Sequence, residues 1–173
     1  MYQARVEKQT SFIIETLGVT AQAFDIFVTG PSNVVPPNEA IPVRCYQQKD
    51  KNLLAEFKPH SAGPHKIEVL HNREQISGSP FECQVYDPSK VLIVDPFQLK
   101  KTYIIGEAVT FTMDASQAGE GMLEVVVTTC KSSVRAVVTA HSRGQYEITF
   151  VPQEAITHYV KITFNEEVGL VII

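Results

Sequence analysis

Apolar and polar residues alternate in short runs along this chain. Ile67 and Val69 alternate with Lys66 and Glu68, while Val160, Ile162 and Phe164 alternate with Tyr159, Lys161 and Thr163. Period two is the signature of a strand with one buried face. Clusters of Gly, Pro, Asn and Asp separate the runs, and no stretch sustains a helical period. The pattern predicts an all-β chain whose strands belong to a sandwich or barrel.

An internal repeat gives the organisation. FIIET (residues 12–16) lies over FTMDA (111–115), and FDIFVT (24–29) over LEVVVT (123–128), both at a shift of 99 residues. Farther on, Phe57, Pro59, His65 and Asn72 match Phe150, Pro152, His158 and Asn165 at a shift of 93, so the first copy carries six extra residues in between. The loop VVPPNEA (34–40) is their expected place. Two copies with strands at roughly 10-residue intervals fit tandem seven-strand sandwiches of immunoglobulin type. A boundary at Asp87, Pro88 and Ser89 follows, dividing the chain into residues 1–88 and 89–173.

Composition narrows the function classes. Apolar residues make up 44% and charged residues 20%, an ordinary globular balance that argues against disorder or low complexity. The net charge of −4, without a basic run, makes nucleic acid an unfavourable partner. MYQARVEKQT lacks the apolar stretch of a signal peptide, and no apolar run approaches the roughly 20 residues that cross a bilayer, which reads as a soluble, cytosolic chain without membrane insertion. Cys45, Cys83 and Cys130 are an odd set without CxxC spacing, so buried free thiols are expected rather than a zinc site or disulfide framework.

Catalytic readings find little to stand on. His60, His65, His71, His141 and His158 show no metal-ligand spacing, and His65 and His158 occupy equivalent repeat positions at a strand start, which reads as structural. Gly119 and Gly121 form a GxG without a following helix, so the phosphate cradle lacks the helix N-terminus it needs and the glycines read as turn formers. Ser32 and Ser79 lie in turns with no GxSxG elbow. The sequence predicts no enzyme, no cofactor and no metal.

Several segments resemble the filamin-type immunoglobulin repeat. The first copy has GPS (30–32), SAGPHKIEV (61–69) and ISGSPFECQV (76–85), where GSPF is similar to the family's lead into its last strand. The second has AGEGMLEVVV (118–127) and SRGQYEITFVP (142–152), similar to the family's AGxGxL and DGxYxVxYxP segments. In GSPF, Gly78 allows a tight backbone approach, Pro80 extends the chain without a donor, and Phe81, Cys83 and Val85 then alternate into a core. Three departures stand out. The counterpart of VLIV (91–94) would fall before Met1, so the first copy is expected to lack most of strand A. NEEVGLVII (165–173) stands where a second GSPF would be, so the second copy either lacks strand G or uses VGLVII in its place, with VLIV and VGLVII pairing in place or across the boundary. TTC (128–130) replaces GPS at the turn after the third strand.

The resemblance implies a non-enzymatic spacer and scaffold module of an actin-crosslinking cytoskeletal protein. Its implied partners are cytoplasmic tails of membrane receptors and peptides of signalling proteins, with actin reached only through the parent protein. It further implies that a partner peptide adds as an extra strand between strands C and D. These map to Phe24–Thr29 with residues 41–47 in the first copy, and to Leu123–Thr128 with residues 134–140 in the second. Pro42 and the neighbouring PPN insertion obstruct the first groove, whereas LEVVVT and VRAVVTA carry no proline and small side chains. Val125, Val126, Val127, Val134, Ala136 and Val138 are therefore the expected docking strip. The alternative is an extracellular immunoglobulin-like adhesion module, against which stand the lack of Trp and the odd thiol count.

Overall fold

The structure is a computed structural model that describes residues 2–96, 102–142 and 144–172, except for the side chains of residues 21 and 168–172. The chain divides into two compact units, Met1–Tyr86 and Asp87–Ile173. Each is an immunoglobulin-like β-sandwich.

In unit 1, β1 (Tyr2–Arg5), β2 (Thr10–Ile14), β3 (Phe24–Thr29), β4 (Ala40–Ile41), β5 (Val43–Gln47), β6 (Leu53–Phe57), β7 (Gly63–His71), β8 (Glu74–Gln75) and β9 (Phe81–Tyr86) follow in order. One sheet runs β1-β9-β7-β3-β4 with β8 on β7, and the facing sheet runs β2-β6-β5. Alternation explains the core. Val28, Ile67, Val69, Cys83 and Val85 of one sheet face Ile14, Leu53 and Phe57 of the other, all buried. Phe81, expected to begin the inward series, is 42% exposed at the sheet margin, so the buried part of that series starts at Cys83.

Unit 2 contains β10 (Leu92–Ile93), β11 (Val109–Asp114), β12 (Leu123–Thr128), β13 (Ser133–Val134), β14 (Ala136–Ser142), β15 (Gln145–Phe150), β16 (Tyr159–Phe164) and β17 (Glu167–Ile172). Its sheets run β10-β11-β15-β14 and β13-β12-β16-β17. Phe111, Met113, Ile148 and Phe150 pack opposite Leu123, Val127, Val160, Ile162 and Phe164. The hairpin from β16 to β17 turns on Asn165 and Glu166 at φ 49° and 65°, and the hairpin from β7 to β8 turns on Asn72 and Arg73 at 50° and 70°. Two consecutive left-handed residues are what a tight hairpin matched to strand twist requires, and Asn adopts that conformation more readily than most.

The departures between the copies have structural counterparts. β1 runs parallel to β9, pairing Tyr2 with Cys83 through Arg5 with Tyr86, whereas β10 runs antiparallel to β11. Among the described residues nothing lies on the outer margin of β2 as β10 lies on β11. VLIV thus pairs in place. So does the other segment: β17 continues the hairpin directly and pairs Phe164 with Glu167 through Val160 with Ile172, with a bulge between Ile162 and Thr163. Residue 173 and the side chains of 168–172 lie outside the described residues.

Gly121 is held to glycine by packing rather than by backbone angle. A Cβ there would collide with the Phe164 ring and come within 2.8 Å of the Asn165 amide nitrogen. Asn165 in turn accepts a hydrogen bond from the Met122 N–H at 2.9 Å, locking the loop before β12 to the β16–β17 turn. Gly121→Ala should therefore destabilise unit 2 by about 1–3 kcal/mol, the usual penalty of overpacking, measured by chemical denaturation. Deleting residues 169–173 removes three of the five β16–β17 pairs, leaving β16 only its ladder with β12 and the two pairs next to the turn, and should lower the unit 2 melting temperature by on the order of 8 °C or more; an unchanged melt would show the segment to be dispensable.

Candidate functional site

An edge strand keeps half of its backbone groups unpaired unless something covers it. In unit 2 two such margins lie side by side, those of β12 and β14. Among the described residues, β16 occupies one side of β12 and β13 the other only at Val127 and Thr128, which leaves residues 123–126 open on that side. Among the described residues β14 pairs with β15 alone, and six of its seven residues are exposed. A groove with free backbone donors and acceptors on both banks results.

Register decides which side chains enter it. Val125 pairs with Ile162, Val127 with Val160, and Val134 with Val127, all on the interior face. Ala136 and Val138 pair with the buried Phe150 and Ile148, so they also face inward, but at the margin Val138 is 39% exposed. Val126 pairs with Lys161 and stands 40% exposed on the outer face of its sheet. Val127 is fully buried and acts as core. Val125, Ala136 and Val138, with Val134 at one end, are thus the members of the expected strip that line the groove, and Val126 lies on the far side.

The unit 1 counterpart carries bulkier side chains. Phe24, Ile26 and Val43 stand where unit 2 has Leu123, Val125 and Ala136, and all three pack against the core. Pro42 falls in the break between β4 and β5 rather than inside a paired strand, so its missing donor removes no ladder bond. The longer loop also occupies ground here: Pro31 is buried, and a Cβ on Gly63 would lie 3.2 Å from the Pro31 ring.

The buried titratable groups are structural in geometry. His65 is completely buried, with Nδ1 3.1 Å from the Gly63 carbonyl and Nε2 without a partner. His158 repeats the arrangement, Nδ1 lying 2.8 Å from the Ile156 carbonyl and Nε2 unpartnered. Burial pushes the His65 imidazole below its ordinary value, against weaker upward effects of the Gly63 carbonyl and Glu39. Of the cysteines only Cys83 is buried, its thiol pushed up to about 12, whereas Cys45 and Cys130 are exposed, contrary to the expectation of three buried thiols. Cys45 sits on an edge strand, β5, and Cys130 in the loop between β12 and β13. Among the described residues, no three His, Cys, Asp or Glu side chains converge as metal ligands, and no helix is long and apolar enough to cross a membrane.

A profile of the Filamin/ABP280 repeat matches residues 1–82 and again residues 85–168. The chain belongs to the filamin repeat family. Filamin-A of Drosophila melanogaster is 27% identical over 161 residues, covering 90% of this chain and 7% of that protein. Filamin-C of Rattus norvegicus is 30% identical over 129 residues, covering 70% of this chain and 4% of the relative. The filamin pair described here therefore spans less than a tenth of either relative. Among solved structures, the Escherichia coli adhesin FdeC superposes with a TM-score of 0.57 over 99% of this chain and 61% of its own, at 14% identity, a likeness of fold alone.

The sequence marks the turn at TTC (128–130) as a departure from the first copy, but it does not single out Arg135. The six-residue difference between the copies was the available signal, because a shorter loop over the same framework leaves uncovered ground beneath it.

The depressed His65 predicts acid sensitivity. A buried neutral imidazole contributes its full stability above the unfolded value of about 6.5, and that contribution is lost as pH falls toward the lower folded value. The unit 1 melting temperature should drop between pH 7 and pH 5, and the drop should shrink in His65→Leu. An identical pH slope in the two proteins would assign the effect to other groups.

Proposed function

We propose that this filamin pair is a non-enzymatic scaffold and spacer module of a cytoplasmic, actin-associated protein, and that its second repeat takes partner peptides by strand addition in the β12–β14 groove. The observation that carries this reading is the pair of adjacent open margins, whose unpaired backbone groups supply affinity for any extended peptide while alternate side-chain pockets supply selectivity. Val125, Val134, Ala136 and Val138 form an apolar floor small enough to receive a partner's side chains. Membership of the filamin family supports cytoplasmic tails of receptors and signalling-protein peptides as the occupants, with actin engaged only through the parent protein. The first repeat, with Phe24 and Ile26 filling its groove, serves as spacer.

A charge placed on the floor tests the site. Ala136→Asp should retain the wild-type circular dichroism spectrum and weaken binding of a receptor-tail peptide at least tenfold by fluorescence anisotropy. Val43→Asp, the same change in the first repeat, should leave affinity unaltered. Undiminished binding by a folded Ala136→Asp protein would remove the second-repeat groove as the docking site.

A further inference from the structure

Beside the groove, unit 2 has a cleft of about 480 Å³ between two walls. Ser133, Arg135 and Val137 stand on one wall, and Val151, Glu154 and His158 on the other. It adjoins the groove and shares Val134 with it, but Val137, which pairs with Thr149 on the outer face of its sheet, lines the cleft and not the groove. In unit 1 the longer loop lies over the corresponding ground, with buried Pro31 against Gly63 and Glu39 close enough to His65 to act on it electrostatically. Shortening that loop in the second copy opens the cleft.

The charges in the cleft do not balance. Glu154 is the acid in its lining, and Lys131 holds it at 3.1 Å, so this carboxylate is already neutralised. Arg135 is exposed and makes no hydrogen bond or ion pair among the described residues, and neither does the Ser133 hydroxyl. The unit 1 counterpart of Arg135, at a shift of 93, is Pro42, which carries no charge. A cation thus stands beside the open cleft and not beside the filled one, in a chain whose net charge is −4. Its position matters as well. Arg135 lies between β13 and β14, the point where the strand leaves one sheet for the other, so a peptide docked along β14 passes within side-chain reach of it.

We infer that this cleft binds the phosphate of a phosphoserine or phosphothreonine on the docked partner, with the Arg135 guanidinium as the principal donor and the Ser133 hydroxyl beside it. The phosphate rather than a carboxylate is assigned because a two-oxygen carboxylate is satisfied by one guanidinium fork, whereas a phosphate offers three acceptor oxygens and close to two negative charges, enough to engage the additional hydroxyl as well. The inference rests on the second-repeat docking reading for its biological setting. Phosphorylation of the partner would then strengthen its attachment to this repeat, and the effect would weaken with salt.

The test uses a probe that cannot add a strand, so it is independent of the groove. N-acetyl-phosphoserine-N-methylamide is titrated into the ¹⁵N-labelled chain, with the unphosphorylated serine compound and the corresponding glutamate compound as controls. The expected result is shifts centred on the amides of residues 132–135 and 153–154, with a midpoint on the order of millimolar. The midpoint should weaken at least tenfold in Arg135→Gln and stay unchanged in Arg44→Gln, which removes an exposed arginine of unit 1. An unchanged response in folded Arg135→Gln, shifts scattered over exposed lysines, or an equal response to the serine or glutamate compound would each overturn the assignment. Loss of tail-peptide binding in Ala136→Asp with the phosphoserine response intact would support both sites; an intact phosphoserine response with undiminished peptide binding in that variant would overturn the groove alone.

Discussion

A sandwich made of two short sheets ends in edge strands, and each edge strand presents a row of backbone donors and acceptors that water, another strand or a loop must satisfy. The central strands β7, β9, β15 and β16 have neighbours on both sides, and their inward residues build the two cores. What distinguishes the units is how their margins are finished. In unit 1, β9 is covered by the parallel β1; in unit 2, β11 is covered by β10 and β16 by a strand that continues its own hairpin. The one motif that differs most between the copies, GSPF against VGLVII, is the place where these two solutions part. The unit 1 chain passes through Gly78 at φ 84° and the cis Ser79–Pro80 peptide before re-entering the sheet as β9, whereas unit 2 needs only a bulge.

Loop length then converts similar frameworks into different surfaces. The segment between the third strand and the next carries six more residues in the first copy, and there it folds back on the body, burying Pro31 and bringing Glu39 near His65. The second copy crosses the same gap through a compact turn in which Thr129 accepts from the Lys131 and Ser132 amides at 3.2 and 3.0 Å. Such side-chain-to-backbone bonds replace the tertiary packing that a longer loop provides. The groove and the cleft both lie on ground that the short turn leaves uncovered, so a single length difference bears on both surfaces.

Much of this was legible in the sequence because strand alternation and repeat shifts are local or pairwise signals. The all-β class, the tandem copies and the family resemblance all rest on period-two runs and on residues such as Asn72 and Asn165, whose left-handed turns are written in their identity. Which valines line the margins of β12 and β14 was only half legible. Val125, Val126 and Val127 are chemically alike, and which of them faces the groove depends on their partners Ile162, Lys161 and Val160 in β16, a non-local register that a run of three valines cannot display. The thiols were misjudged for a related reason: Cys45 and Cys83 differ in burial because β5 is a margin and β9 is not, and margin or centre is a property of topology. Pro42 read as an obstacle within a strand because the break between β4 and β5 cannot be seen in an unbroken run of sequence.

An open apolar margin is prone to pair with copies of itself, and the geometry of β14 limits that tendency. Its pairing with β15 is interrupted by a register shift between Ala140 and Ser142, so the regular ladder extends only over Ala136 to Ala140. Bulges twist an edge out of the plane that a second flat strand would need. Arg135 stands at one end of the regular stretch, and at the other His141 lies 3.7 Å from Glu147, placing polar and ionisable groups on both flanks. Two identical margins brought together antiparallel would place the two arginines beyond the ends of a five-residue ladder, with little backbone pairing to offset their desolvation. A peptide bearing a negative charge near one end meets the opposite situation, because the same arginine then attracts it. Under the proposed docking, the feature that discourages self-association is also the one that would select among partners, and both effects follow from Arg135, unpaired among the described residues at the point where the strand changes sheets.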